Sequence, residues 1–143
     1  MQSMSWAANQ NARPKWEEQF KTALVLRKKK KPEAAIELLI AMNAEHPKTP
    51  AILGTLAGAY WDQGNLQRAA LYFRQTTRLS PKSELASLGL FHTLWELGRP
   101  NDAKKEMIRF LAICNSKEYE AITARPRPNK VAKRFSSSKV RVE

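Results

Sequence analysis

Side chains able to do covalent or metal chemistry are few and scattered. His46 and His92 are the two histidines, Cys114 is the single cysteine, and Asp62 and Asp102 are the two aspartates in a chain of 143 residues. A serine or cysteine nucleophile needs an imidazole in hydrogen-bond reach with a carboxylate behind it, and a zinc site needs a converging ligand set. No such grouping occurs at a suitable spacing, and the five glycines form no phosphate-cradling loop. Catalysis, a metal and a cofactor are therefore not expected. His92 stands one helical turn before Glu96 and could pair with it, but its expected role is that of a partly buried structural histidine. His46, before Pro47, reads as a helix C-terminal residue. Cys114 should behave as a small buried hydrophobe, and as a lone cysteine it forms no internal disulfide.

The abundant chemistry is cationic. Twenty-five Lys and Arg against 13 Asp and Glu give a formal charge of +12, which invites a nucleic-acid, acidic-membrane or acidic-protein partner. Residues 1–31 hold eight cations against Glu17 and Glu18, and residues 124–143 hold seven against Glu143, so each end carries +6. Between them ten cations balance ten anions. Arg27-Lys28-Lys29-Lys30-Lys31-Pro32 reads as the charged tip of a helical hairpin. Arg125, Arg127, Lys130, Lys133 and Arg134 belong to a tail without a helical stripe, expected to be extended or disordered. Lys28, Lys29, Lys30 and Lys31 together with those five tail residues are the candidate contacts for a polyanion or an acidic partner. A further array, Arg68, Arg74, Arg78, Lys104, Lys105 and Arg109, falls on outward helix positions. Aromatic residues are not interleaved with these cations as a base-stacking platform requires, so nucleic acid is the second choice of partner.

The elements that must position these groups repeat. At a spacing of 34 residues, Ala35, Ala69 and Ala103 are in phase, as are Leu39, Phe73 and Met107, Leu26, Tyr60 and Leu94, Pro47 and Pro81, and Gly64 and Gly98. Each unit reads as two helices. Ile52, Leu53, Leu56, Ala59 and Tyr60 recur at helical spacing, Gly64-Asn65 supplies a turn, and Leu66, Ala69, Ala70 and Phe73 begin a second helix that ends before Pro81. Leu88, Phe91, Leu94 and Trp95, then Ala103, Met107, Phe110 and Leu111, repeat the pattern, with Asn101 as an N-cap and Asp102 near the helix start. The longest apolar stretch, Ala34 to Met42, contains Glu37 and is far short of the roughly 20 residues that span a bilayer. Met1 to Asn11 lack the features of a secretory leader, and a reducing, cytoplasmic setting is expected, with the nucleus as the alternative.

These residues resemble the tetratricopeptide repeat family, with units at 16–49, 50–83 and 84–117. The second unit carries the resemblance best, through Leu53, Leu56, Ala57, Tyr60, Gly64, Ala69, Phe73 and Pro81. The first has Lys30 at the turn glycine, and the third has bulky Phe91 at a small-residue position. The resemblance implies an all-α fold: an α-solenoid of three helical hairpins at 16–123 with a short C-terminal capping helix near Ser116 to Ile122. A 1–15 arm bearing Met4 and Trp6 and a 124–143 basic tail flank it. Stacking hairpins supplies the continuous core that one hairpin alone lacks.

In the family's geometry first-helix positions line a concave groove. Here they include Phe20 and Leu24, then Gly54, Thr55, Gly58 and Trp61, then Leu85, Leu88, Gly89, His92 and Trp95. The tetratricopeptide proteins that grip chaperone C-terminal carboxylates use Lys, Asn and Arg at positions occupied here by Phe20, Leu24, Thr55, Leu85 and Gly89, so that clamp is missing. A helix-interior glycine costs roughly 1 kcal/mol relative to Ala. Gly54, Gly58 and Gly89 on one face therefore suggest close approach of another backbone, or tight helix crossing within the domain. Trp61 and Trp95 are groove-rim candidates or structural repeat positions. The reading is a non-enzymatic adaptor or small chaperone holding an apolar or amphipathic segment of a partner protein, similar in size and groove character to three-repeat secretion chaperones. Alternatives are an RNA- or DNA-binding helical protein using the Lys28-Lys31 turn and tail, and a toxin-neutralising or assembly protein steered to an acidic partner. The arm or tail filling the groove, and a homodimer closing it, are also open.

Overall fold

The computed structural model describes residues 16–124, which form seven helices and no strand. Helix α1 covers residues 16–28. It is followed by α2 (Pro32–Glu45), α3 (Pro50–Gln63), α4 (Leu66–Leu79), α5 (Glu84–Glu96), α6 (Pro100–Leu111) and α7 (Lys117–Ala124). The chain divides into two compact units, residues 1–113 with α1 to α6 and residues 114–143 with α7. Within the first unit the helices pair as α1/α2, α3/α4 and α5/α6, a solenoid of hairpins in the expected register. Each helix from α2 packs on the next, and α3 also touches α5.

The 34-residue period is written into the turns. Lys30, Gly64 and Gly98 all take left-handed backbone, with φ of 62, 89 and 78°. In each turn the same two hydrogen bonds close the first helix. Lys30, Gly64 and Gly98 N–H donate to the carbonyls of Arg27, Trp61 and Trp95 at 3.0, 2.9 and 3.0 Å. Lys31, Asn65 and Arg99 N–H donate to Leu26, Tyr60 and Leu94, each at 2.9 Å. This is the Schellman arrangement, which satisfies carbonyls that a helix end leaves unpaired. It requires a left-handed residue at the turn, and in the first hairpin Lys30 adopts that conformation although it has a Cβ.

The helix starts use two devices. Pro32, Pro50 and Pro100 occupy the first turn of α2, α3 and α6, where a missing N–H costs nothing and the ring presets φ. Asn65 and Ser83 cap α4 and α5 by accepting from the N–H groups of Arg68 and Ala86. Asn101 is not the N-cap of α6. Pro100 already starts that helix, Arg99 is the cap residue, and Asp102 in the first turn pairs with Arg99 at 2.8 Å.

Ala35, Ala69 and Ala103 are fully buried where the helices of each hairpin cross, and Leu56, Leu90 and Leu94 fill the layers between them. Phe91, in phase with buried Ala23 and Ala57, is itself buried. Among the described residues no helix is long and apolar enough to cross a membrane. In the second unit the Ser116 side chain accepts the Tyr119 N–H at the start of α7, and Tyr119 is fully buried. Helix α7 runs two residues past Ile122. Cys114 follows the end of α6 and is half-buried rather than buried. The expectations for Met4, Trp6 and the rest of 1–15, and for Arg125, Arg127, Lys130, Lys133 and Arg134 in the tail, lie outside the described residues.

Candidate functional site

Helices α1, α3 and α5 bring part of the expected groove together. Phe20 and Leu24 from α1, Gly54 and Thr55 from α3 and Leu85 from α5 line one cavity of about 380 Å³, closed on the far side by Phe73 and Thr76 of α4. Its wall is mostly apolar, yet much of it faces water: Leu85 is 81% exposed and Leu24 42%. Thr55 spends its hydroxyl proton on the Ala51 carbonyl, and Thr76 on that of Tyr72. Gly54 has the Thr76 methyl at van der Waals distance from where a Cβ would stand.

A second, larger cleft of about 820 Å³ adjoins it, because Leu24 and Arg27 line both. Trp61 forms one wall, and Lys28 and Lys30 from the first hairpin tip form the other. Trp61 is half-buried and packs against the core. Between the two cavities lies Arg27, whose Nε donates to an Asp62 carboxylate oxygen at 2.8 Å, with both side chains 32% exposed. To reach Asp62 the guanidinium crosses Gly58, and a Cβ there would collide with it.

The remaining candidates separate from this site. Gly89 is covered by the Phe73 ring, which sits where its Cβ would be. Two of the three glycines thus make room for side chains of the same chain, and no approaching foreign backbone is needed to account for them. Leu88, His92 and Trp95 line neither cavity. Trp95, 45% exposed, stacks on Phe91 with ring centroids 5.8 Å apart. His92 is exposed, not partly buried, and sets its ring edge against Phe91 at 5.3 Å instead of pairing with Glu96. Lys28, Lys29, Lys30 and Lys31 are all exposed at the α1–α2 tip.

A stack of hairpins with in-phase turns is accompanied by a direct match in sequence: the tetratricopeptide repeat model fits residues 26–75 and 60–124. The chain belongs to the tetratricopeptide repeat family. Solved structures share the fold of this repeat protein. The Sgt2 tetratricopeptide domain from Aspergillus fumigatus is 19% identical, with a TM-score of 0.69 over 89% of this chain and 87% of that one. The second such domain of Spaghetti (RPAP3), bound to an HSP90 peptide, is 20% identical, with a TM-score of 0.65 over 75% and 99%. A point mutant of MamA is 17% identical, with a TM-score of 0.64 over 71% and 74%. Among curated proteins no sequence matches significantly.

One polar cluster of this tetratricopeptide protein is not visible from its repeat pattern alone. Glu106 is buried and accepts from the Ser87 hydroxyl at 2.7 Å and from Arg109 at 2.7 and 2.9 Å. Arg109 also donates to the Pro81 carbonyl at 3.1 Å, so it is a structural residue and not an outward phosphate contact. The signal lay in the register. Ser87 and Glu106 stand where the second unit has Leu53 and Tyr72, a matched polar pair at two apolar positions. Arg68 is engaged too, with its guanidinium 5.9 Å from the Tyr60 ring centre. Among the described residues no group of three His, Cys, Asp or Glu gathers as a metal site.

Proposed function

We propose that this protein is a non-enzymatic peptide-binding module, an adaptor or small chaperone, that takes an amphipathic segment of a partner protein in the groove formed by α1, α3 and α5. The observation that carries the reading is the pair Leu24 and Leu85. Both are strongly exposed, yet both line one apolar cavity with Phe20 and Phe73. Exposed apolar side chains grouped in a concavity are the usual mark of a surface awaiting a partner. The adjoining cleft adds a second requirement, because Lys28 and Lys30 stand beside Trp61 there. A segment spanning both cavities presents apolar side chains to Leu24 and Leu85 and carboxylates to Lys28 and Lys30. That combination matches groove recognition by an amphipathic helix or strand.

The Spaghetti domain binds an HSP90 peptide, and that mode is not carried over. The positions at which such domains grip a terminal carboxylate are Phe20, Leu24, Thr55, Leu85 and Gly89 here. None of the five carries a charge or an amide and three are large and apolar, so recognition shifts from a charged chain end to an apolar face.

A photo-reactive amino acid placed at Leu85 in the full chain tests the reading in the native cell. Cross-links to a discrete protein segment carrying apolar and acidic residues are expected from position 85, and not from Ile108, an exposed site on α6. Cross-links to RNA or to a second copy of this chain, or equal yields at both sites, would overturn it.

A further inference from the structure

Cations also converge on the other helices. Helices α4 and α6, the second helices of neighbouring hairpins, line a cleft of about 600 Å³ that holds five cationic side chains and two carboxylates. Both carboxylates are spent. Asp102 pairs with Arg99 at 2.8 Å, and Glu106 with Arg109 at 2.7 Å. Arg74 and Arg78 of α4 and Lys105 of α6 are left, and none of the three side chains has an ion-pair or hydrogen-bond partner among the described residues. Three unneutralised cations around one concavity repel one another, a cost that an anionic occupant removes. Arg74 and Arg78 lie four residues apart on one helix face, about 6 Å along the axis. Leu71, one turn before Arg74 on α4, also lines the cleft, apolar and 51% exposed.

We infer that the α4–α6 cleft is a second docking surface, for an acidic segment of a partner protein that carries an apolar side chain beside its carboxylates. Charge complementarity sets the sign of the occupant. Leu71 sets the need for an apolar side chain, which a phosphate chain lacks. No aromatic side chain lines the cleft, so it offers no stacking platform of the kind single-stranded nucleic acid uses. The surface is separate from the groove of α1, α3 and α5, with which it shares no lining residue.

The test is fluorescence anisotropy with the full chain and a labelled synthetic peptide in which leucines alternate with pairs of glutamates. Arg78→Glu/Lys105→Glu should weaken binding about tenfold or more, and the gentler Arg78→Ala/Lys105→Ala should move it in the same direction. Arg78 and Lys105 are exposed, so circular dichroism should be unchanged in both. Leu71→Ser should cost about threefold. Every chain compared also carries Leu24→Asp/Leu85→Asp, which removes the groove as a competing site for a peptide of leucines and glutamates, so failure of the groove reading leaves this measurement standing and the two failures are told apart. Equal affinity of the charge variants and their Leu24→Asp/Leu85→Asp parent would overturn the inference and leave the basic termini as the binding groups. Tighter binding of oligothymidylate through the same residues, indifference to Leu71→Ser, or no binding in the Leu24→Asp/Leu85→Asp background would overturn it as well.

Discussion

Gly58 and Gly89 lie on first helices of successive hairpins, and each is crossed by a side chain, but the two neighbours differ in stiffness. Above Gly58 is the guanidinium end of Arg27, and above Gly89 is the ring of Phe73. An added methyl at Gly58 pushes aside the tip of a flexible chain, at the expense of a one-third-exposed ion pair worth about 0.2–1 kcal/mol. It gains about 1 kcal/mol of helix propensity. Gly58→Ala is therefore expected to be close to neutral in urea unfolding, and to stabilise by about 1 kcal/mol once Arg27→Ala has cleared the space. Gly89→Ala forces a ring packed against the core to move and should destabilise by about 1–3 kcal/mol despite the same propensity gain. Equal effects at the two positions would show that neither glycine is kept for its covering side chain. Glu106 follows a similar logic. A carboxylate enters the space of an apolar layer only because Ser87 and Arg109 supply donors for it.

At the scale of elements, the turn residue is where the three hairpins are most alike in geometry and least alike in sequence. Left-handed backbone costs a residue with a Cβ about 1–2 kcal/mol, and glycine avoids that at some loss of chain entropy. Lys30→Gly should raise the stability by about 0.5–1 kcal/mol, read as a higher urea midpoint at unchanged slope, whereas Gly64→Ala should lower it by a similar amount. A fall in midpoint for Lys30→Gly would mean that the lysine side chain supports the turn more than its backbone strains it. The helices themselves were legible in the sequence. Ala35, Ala69 and Ala103 repeat at the helix crossings, and Leu26, Tyr60 and Leu94 supply the carbonyls that close each first helix. The sequence places the start of α6 two residues late, at an Asn101 cap instead of Arg99, because Pro100, a turn former by type, is also a favoured first residue of a helix.

Over the whole molecule, the groove face followed from the resemblance to the tetratricopeptide family, whose geometry points to Phe20, Leu24, Gly54, Thr55 and Leu85 once the 34-residue register is known. What covers that face did not follow. Arg27 reaches Asp62 across 35 positions, and Phe73 reaches Gly89 across 16, through side-chain directions that a repeat pattern does not encode. The same limit hid the gathering of Arg74, Arg78 and Lys105, since three cations on two helices look like solvated faces until the helices are side by side. The formal charge of +12, divided between two termini of +6 each, suits the speeding of an encounter with the acidic partner proposed above. The central claim is that Leu24 and Leu85 jointly grip a partner segment. Its most direct measurement is the affinity of the segment recovered by cross-linking at position 85, synthesised and titrated into wild type and into Leu24→Asp/Leu85→Asp. The account predicts a loss of at least about 2 kcal/mol, roughly thirtyfold, with the fold retained; an unchanged affinity would contradict it.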